Sequence, residues 1–394
     1  MDKKKTILIS VLNSAEGKDY KGFSKFDALN SPILNKLTFN NKWLRLIYTQ
    51  LVKESPFHIR PFLKIKQSRN PKGIALFARA YLFLYQNTQN TDFLIKAEKL
   101  LDWLIQNRSP NIKNMSWGYN FVWQNTIFLQ NKYEPNTVVS IFVGEAFIHA
   151  YRATGKKKYI DAACSVCDFL LKDIPVLYDQ KDELAIAYVL RKVSAIVLNN
   201  QILAGAFIIK VWKHIQNEQL KKTAKRLINF TVNRRTKYCA WYYTYPYNKS
   251  LIVHDNYHTG GILDGLIEYY QETDDDCYLD VYKKGLQYYQ KNLFEDNGAP
   301  RWMNNKKYPF DIHGSAQGII SFTKASILFP EYKSQAQKTV LWTISHLFDK
   351  KASEFFYRKG RYLDWKYSLM RWCNAWMARA MADYVTTCDK KDKK

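Results

Sequence analysis

Apolar residues recur every three or four positions along most of this chain, in pairs of segments joined by short polar turns. The clearest pairs span residues 144–173 and 261–294. In each, a helix rich in small residues is followed by a polar turn containing threonine and by an amphipathic second helix, which predicts an antiparallel helical hairpin. The same plan is kept more loosely at 75–107, 201–230 and 316–348, with starts about 55 to 70 residues apart.

Two further helical segments extend this series. Residues 371–385 have the pattern of another first helix, and residues 41–54 have helical periodicity, so the two are predicted to pair as a sixth hairpin. Strand patterns are limited to stretches such as ILISVL (7–12) and AWYYTY (240–245). The predicted fold is therefore all-α: an (α/α)6 toroid over residues 41–386, after an N-terminal extension (1–40) with a short strand and before a disordered basic tail (387–394).

The two helices of each hairpin differ in composition. First helices are rich in Ala, Gly and Ser, as expected of an inner ring, whereas second helices carry the Lys and Glu of a solvated outer ring. All inner helices then begin at one end of the toroid. The segments that precede them are dense in Trp, Tyr, His, Arg and acidic residues, and are predicted to converge on one mouth: 58–73, 117–136, 241–260, 301–315 and 357–372.

Several of these segments resemble a known superfamily. The hairpin period and the sequences SWGYNFVWQN, YEPNTVV, DNYHTGGILDGL and YPFDIHGSAQG are similar to those of the six-hairpin glycosidase-like (α/α)6 toroids, in particular members associated with bacterial surface-polysaccharide biosynthesis. The resemblance covers about residues 40–385. The superfamily includes hydrolases, lyases and epimerases acting on sugars, so the resemblance implies a carbohydrate-handling cleft without fixing the reaction.

The composition limits the kinds of partner and the cellular compartment that the sequence predicts. The net charge of +25 predicts an acidic partner, either an acidic glycan or, peripherally, an anionic membrane surface. No run approaches the roughly 18 apolar residues of a membrane span, and the start MDKKKTILISVLNSAEG lacks a convincing signal peptide, so a cytoplasmic location is predicted. The CxxC of Cys164 and Cys167 has helical spacing typical of core residues. No metal, cofactor or nucleic acid is predicted, because the corresponding motifs are absent from the sequence.

Two carboxylates are placed consistently just before inner helices. Asp255 precedes His258 by three residues, and Asp311 precedes His313 by two. Glycoside cleavage uses a carboxyl pair, one as acid and the other as base or nucleophile, which makes Asp255 and Asp311 the candidate pair. The alternative is that each caps its helix, since Asp is a preferred N-cap residue.

The neighbouring imidazoles and phenol suggest a second chemistry. Tyr257, His258 or His313 can abstract the C5 proton of a uronate, as a C5-epimerase or polysaccharide lyase requires. In that reaction Arg60, Arg69 or Arg301 would neutralise the substrate carboxylate. The alternative for the histidines is a structural, hydrogen-bonded role.

Candidate binding residues combine cations with rings that stack on sugars. Cations concentrate before the first inner helix and in a later loop: Arg60, Lys64, Lys66, Arg69, Lys72, Arg301, Lys306 and Lys307. Residues able to stack on a sugar or hydrogen-bond it are Trp117, Tyr119, Trp123, Gln124, Trp241, Tyr257, Trp302, Tyr362, Arg371 and Trp372. Surface charge and core packing are the alternatives for these two sets.

The sequence therefore predicts an enzyme acting on an acidic oligosaccharide or lipid-linked glycan in surface-polysaccharide metabolism. A glycosidase-like reaction by the carboxylate pair is the first hypothesis, and a uronate C5-epimerase or lyase is the second. A non-catalytic glycan-binding protein of polysaccharide assembly is the third, because binding needs only the aromatic residues.

Overall fold

The structure of the protein, a computed structural model, describes residues 3–388. The helices of this part of the chain are α1 (Lys3–Gly17), α2 (Pro32–Leu37), α3 (Lys42–Glu54), α4 (Pro71–Thr88), α5 (Thr91–Gln106), α6 (Thr137–Thr154), α7 (Lys157–Asp168), α8 (Leu198–Ile215), α9 (Glu218–Val232), α10 (Asn256–Thr273), α11 (Leu279–Leu293), α12 (Ile312–Leu328), α13 (Tyr332–Leu347) and α14 (Trp376–Thr387). A π-helical segment, Met370–Ala375, leads into α14.

Six of these helices form a closed inner ring. Helix α4 contacts α6, and contacts continue through α8, α10, α12 and α14 back to α4. Each inner helix also packs against an outer helix: α5 on α4, α7 on α6, α9 on α8, α11 on α10, α13 on α12 and α1 on α14. The predicted all-α (α/α)6 toroid is confirmed, and the five hairpins recognised in the sequence form as expected.

Small residues allow the inner helices to approach closely, as their composition predicted. A Cβ built on Gly144 of α6 would lie 2.6 Å from the Phe207 ring of α8. A Cβ on Gly265 of α10 would lie 2.8 Å from Cγ1 of Ile202. Any larger residue at these positions would push neighbouring inner helices apart.

The sixth hairpin differs from the prediction. The partner of α14 is α1, which buries Leu8, Val11, Leu12 and Ala15, and not α3. The predicted strand at ILISVL is wrong, because these residues are helical within α1 and their apolar side chains pack on the ring. Helix α3 instead contacts the 3₁₀ turn Ala28–Asn30, α2 and the short strand Trp123–Gln124 at the rim of the mouth.

Short antiparallel strands join the helices. They are β1 (Trp123–Gln124), β2 (Leu129–Gln130), β3 (Val176–Gln180), β4 (Glu183–Ile186), β5 (Ile196–Val197), β6 (Thr244–Tyr245), β7 (Phe310–Asp311), β8 (Phe348–Asp349), β9 (Glu354–Phe355), β10 (Arg358–Lys359) and β11 (Asp364–Trp365). Pairs form between β1 and β2, β3 and β4, β5 and β6, and β8 and β9, while β10 lies between β7 and β11. The strand predicted at AWYYTY is reduced to β6, and the hairpin of β3 and β4, which packs on α9, was not predicted.

Two further predictions concern the C-terminal tail and membrane-spanning helices. Most of the predicted basic tail, 387–394, lies outside the described residues, although Thr387 ends α14. Across residues 3–388, no helix has both the length and the apolar character needed to cross a bilayer.

Candidate active site

A cavity of about 900 Å³ opens where the inner helices begin. Each of the five segments predicted to converge on the mouth contributes to its wall, for example through Lys72, Tyr119, His258, Trp302 and Trp372. The inner helices therefore all present their N-terminal ends to one space. This end of the toroid is the candidate active site.

His258 is the imidazole on this wall that has a carboxylate partner. Its Nδ1 lies 2.8 Å from Oδ2 of Asp255, and its ring stacks on Tyr243 with centroids 4.3 Å apart. Asp255 occupies the N-cap position of α10, but its side chain makes no capping hydrogen bond and does not line the cavity. The two atoms are close enough for an ion pair but do not have hydrogen-bond geometry, so the carboxylate acts on the imidazole through its charge and proximity. Nε2 is then the ring nitrogen available to a bound molecule.

Tyr257 and His313 continue this wall. Their rings stack at 4.5 Å, and the His313 ring also contacts Trp372 and Trp376 at 4.4 and 4.2 Å. Burial and the nearby charges of Asp255 and Asp311 hold the pKa of Tyr257 well above its ordinary value, so the phenol is protonated at neutral pH. Burial, reinforced by Lys72 and Lys25, holds the pKa of His313 well below its ordinary value, so this imidazole is neutral.

Asp311 is the centre of a buried hydrogen-bond network. Its Oδ1 accepts from the backbone N–H of His313 at 3.0 Å, as a helix cap, and from Nε1 of Trp372 at 2.7 Å. Its Oδ2 accepts from Nε of Arg358 at 2.8 Å and from Nζ of Lys25 at 3.4 Å. Burial opposes ionisation, but Lys25 and Arg358 outweigh it and hold the pKa of Asp311 below its ordinary value. Four donors hold a carboxylate that does not line the cavity.

Lys25 reaches the cavity from the chain before α2, a position with no distinguishing pattern in the sequence. Its Nζ lies 3.7 Å from the centroid of the Trp372 ring. Burial lowers its pKa well below the ordinary value, although Asp311 opposes the shift. Arg60, predicted to bind substrate, instead holds this loop: its Nε bonds Oδ1 of Asp27 at 2.9 Å and its Nη2 bonds the carbonyl of Lys25 at 3.3 Å.

The predicted binding residues divide into two groups. Tyr119, Trp123, Gln124, Trp302, Arg371 and Trp372 line the cavity. Arg60, Lys66, Arg69, Trp117, Trp241, Arg301 and Tyr362 do not. Phe142, Tyr188, Tyr243 and Trp376 are among further aromatic residues of the wall that the sequence did not single out.

Each residue of the second group has another role or environment. Trp117 and Trp241 are buried, and their Nε1 atoms donate to the carbonyls of Leu104 and Thr231 at 2.9 and 3.0 Å, so both are packing residues. Two of the arginines form ion pairs away from the cavity, Arg69 with Asp19 and Arg301 with Glu295. Lys66 and Tyr362 are exposed to solvent. The sequence shows that these residues carry a charge or an aromatic ring, but it does not show where the side chains point.

A chain of ion pairs forms the floor of the cavity. Arg79 of α4 lies 3.6 Å from Glu145 of α6, whose Oε1 is 2.6 Å from Lys210 of α8. Lys210 is 2.8 Å from Glu268 of α10, which is 2.5 Å from Lys324 of α12. These atoms lie on five successive inner helices, and Arg379 and Asp383 pair on the sixth. We call these residues the charged floor.

Within residues 3–388, no group of three or more His, Cys, Asp or Glu side chains is arranged to hold a metal ion. What the wall offers a ligand is imidazole, phenol, cations and aromatic faces.

Solved structures with this architecture exist. A sugar epimerase from a ruminal bacterium aligns with a TM-score of 0.66 at 14% identity, covering 84% of this chain and 91% of its own. The protein has the six-hairpin toroid fold. An α-mannanase from Bacteroides thetaiotaomicron aligns with a TM-score of 0.63 at 15% identity, covering 82% and 87%. An unsaturated glucuronyl hydrolase specific for heparin aligns with a TM-score of 0.59 at 14% identity, covering 84% and 90%. No protein-family model matches the sequence, and no curated protein matches it.

Proposed function

We propose that this protein is a carbohydrate-active enzyme that moves a proton on an acidic oligosaccharide, as an epimerase or lyase does. The observation that carries the proposal is the Asp255–His258 pair. The imidazole is on the cavity wall, and its Nδ1 lies 2.8 Å from a buried carboxylate. An imidazole held beside a carboxylate in this way can act as a general base.

The roles of the neighbouring groups follow from their protonation. In the proposed step, Nε2 of His258 takes a proton from the carbon next to the substrate's carbonyl or carboxylate, and the electron pair of the broken C–H bond passes into that group. The protonated phenol of Tyr257 is available to return a proton. Return of a proton to the opposite face of the carbon gives an epimer. In the lyase reaction the electron pair instead forms a double bond to the adjacent carbon, the glycosidic C–O bond of that carbon breaks, and the departing oxygen takes the proton of Tyr257.

Two further observations favour this reaction over hydrolysis. A hydrolase would need both Asp255 and Asp311 within reach of the glycosidic bond. Neither carboxylate lines the cavity, and Asp311 already accepts hydrogen bonds from four donors. The acidic substrate and a place in surface-polysaccharide metabolism rest on the net charge of +25 and on the resemblance described above.

Solvent isotope exchange tests the reaction. Incubation with a glucuronate-containing disaccharide and with cellobiose in deuterium oxide is expected to give one of two products, measured by NMR and mass spectrometry. An epimerase product carries deuterium at the inverted carbon, whereas a lyase product has lost the proton of that carbon and contains a carbon–carbon double bond. New reducing ends without carbon-bound deuterium and without an unsaturated sugar would support the carboxylate-pair hydrolase instead. Binding of both sugars without any change in them would support a glycan-binding protein.

We also propose that the rim of the mouth contacts an anionic membrane surface, where a lipid-linked glycan would be presented. Trp43, Ile47 and Leu51 lie four residues apart on α3, hence on one face, and are 65%, 50% and 61% exposed. Lys42, Arg45 and Lys53 belong to the same helix. Exposed apolar residues beside cations are typical of an interfacial helix.

Vesicle binding tests this contact. Serine at Trp43, Ile47 and Leu51 together is expected to reduce co-sedimentation with phosphatidylglycerol-rich vesicles severalfold, because the apolar face no longer inserts. The matched control is serine at Ile95, Ile327 and Leu341, three apolar residues that are 50%, 58% and 48% exposed on other helices. Equal retention of both triple variants on the vesicles would contradict a specific rim contact.

A further inference from the structure

Most buried cations around the cavity already have an acidic partner. Lys25 is paired with Asp311, Arg79 with Glu145, Lys324 with Asp264 and Glu268, and Arg379 with Asp383. Among residues 3–388, two buried cations of the wall form no ion pair and no side-chain hydrogen bond. They are Lys72 and Arg371.

Lys72 lies in the first turn of α4 and is only 6% exposed. Its Nζ is 3.7 Å from the centroid of the Phe142 ring and 5.0 Å from that of Trp376. Two aromatic rings flank the ammonium group, and the helix dipole disfavours a cation in the first turn of a helix. Burial and the charge of Arg371 lower the pKa of Lys72 well below its ordinary value, as expected where no anion compensates the charge.

Arg371 belongs to the π-helical segment and is only 3% exposed. Its guanidinium carbon lies 5.2 Å from the Tyr119 ring and 5.3 Å from the Trp372 ring, and its Nε is buried without a hydrogen-bond partner. A buried, unpaired donor on a charged group is costly. A Cβ on Gly73 would lie 3.3 Å from Cβ of Arg371, so the π-helical segment packs directly against the start of α4 that carries Lys72.

We propose that Lys72 and Arg371 together bind an anionic group of the substrate, a carboxylate or a sulfate or phosphate ester, inside the cavity. This inference rests on the proposed function and assigns the substrate's acidic group to a site. The planar guanidinium can donate two parallel hydrogen bonds to an oxyanion, and the ammonium group supplies a second positive charge. Trp372 and Trp376 offer adjacent faces for the sugar ring.

The position of this pair suits the proposed proton transfer. The His313 ring contacts both Trp372 and Trp376, and the Tyr257 ring contacts His313 and His258. An acidic group held by Lys72 and Arg371 is therefore beside the imidazole wall. A uronate bound in this way presents the carbon next to its carboxylate to that wall.

Binding measurements test the proposal independently of turnover. Calorimetric titrations with D-glucuronate, D-glucose, sodium sulfate and sodium phosphate would compare the native protein with Lys72→Met and Arg371→Met. Lys66→Met and Arg69→Met are matched controls, because these cations were also predicted to bind substrate but lie outside the cavity. Each site substitution is expected to weaken glucuronate binding about 10- to 100-fold, the usual effect of losing a hydrogen bond to a charged group, and to leave glucose binding and the controls unchanged.

The results distinguish this site from the proposed function. Equal binding of glucuronate and glucose, unaffected by either substitution, would overturn the anion site and leave the carbohydrate cavity intact. Sulfate or phosphate binding that depends on Lys72 and Arg371, with no sugar bound, would keep the site and overturn the carbohydrate function. The order of affinity among glucuronate, sulfate and phosphate identifies the anion.

Thermal unfolding provides a second measurement that does not require a substrate. Methionine at either position removes an uncompensated buried charge, so the ligand-free variants are expected to unfold at the same or a higher temperature than the native protein. Glucuronate should raise the Tm of the native protein and not that of the variants. A large fall in Tm for both variants would show that the two cations stabilise the fold rather than bind a ligand, and would overturn the proposal.

Discussion

His258→Ala is expected to lower turnover about 10²- to 10⁴-fold, the usual contribution of a general acid or base, with little change in substrate binding. The imidazole lies on the cavity wall and is backed by Asp255 at 2.8 Å. Steady-state kinetics on the sugar identified by isotope exchange would give kcat and KM separately. The loss should fall on kcat, because the substituted group acts on the proton and not on the rest of the sugar.

Two comparisons make this result specific to His258. Asp255→Asn keeps the size of the side chain and removes its charge, so it should lower kcat less than His258→Ala does, as expected of a positioning residue. His214, which lies near the end of α8 away from the mouth, is the control: His214→Ala should leave kcat unchanged. Native kcat in His258→Ala would remove the proposed mechanism, and equal losses in His258→Ala and His214→Ala would indicate a general structural effect.

Asp311→Ala is expected to lower the free energy of unfolding by about 3–5 kcal/mol, the usual cost of removing one partner from a buried ion pair. The substitution leaves Arg358 and Lys25 facing an empty position, and it also removes the cap of α12 and the acceptor of the Trp372 indole. Equilibrium denaturation in urea would measure the loss. Asp280→Ala is the control, because that side chain is 74% exposed and should change stability by less than about 0.5 kcal/mol.

The pH dependence of the same experiment has a definite sign. Because the folded-state pKa of Asp311 lies below its ordinary value, its contribution to stability is complete above the unfolded-state pKa and is lost as pH falls through the folded-state pKa. The difference in stability between the native protein and Asp311→Ala should therefore be constant near neutrality and shrink in acid. A difference that grows in acid, or an effect no larger than that of Asp280→Ala, would contradict the central role of this carboxylate.

Local pattern was enough to predict five of the six hairpins but not the sixth. Helices α4 to α13 follow one another along the chain, so each hairpin is encoded by neighbouring segments. The sixth joins the first helix to the last, and ILISVL in α1 has the β-branched residues of a strand. Packing on α14 decides its structure, and no local pattern carries that information.

The site was predictable to the extent that its residues follow the helix entries. Tyr257, His258 and His313 are fixed to the starts of α10 and α12, so the repeat alone brings them to the mouth. The cations that line the cavity were harder to predict, because the direction of a long side chain in a loop depends on contacts with residues far away in the sequence. Arg60 turns toward Asp27, and Lys25 enters from a loop with no pattern of its own.

The charged floor limits how a bound molecule can move through the protein. Ion pairs linking successive inner helices close the axis of the ring beneath the cavity, and Arg79, Glu145 and Lys210 are all nearly inaccessible to solvent. A polymer therefore cannot thread through the toroid, and it enters and leaves by the same opening. If the protein acts on a glycan as proposed, the part of the substrate that reaches the base of the cavity must be a chain end, a branch or a short oligosaccharide, and the product must leave before the next substrate enters.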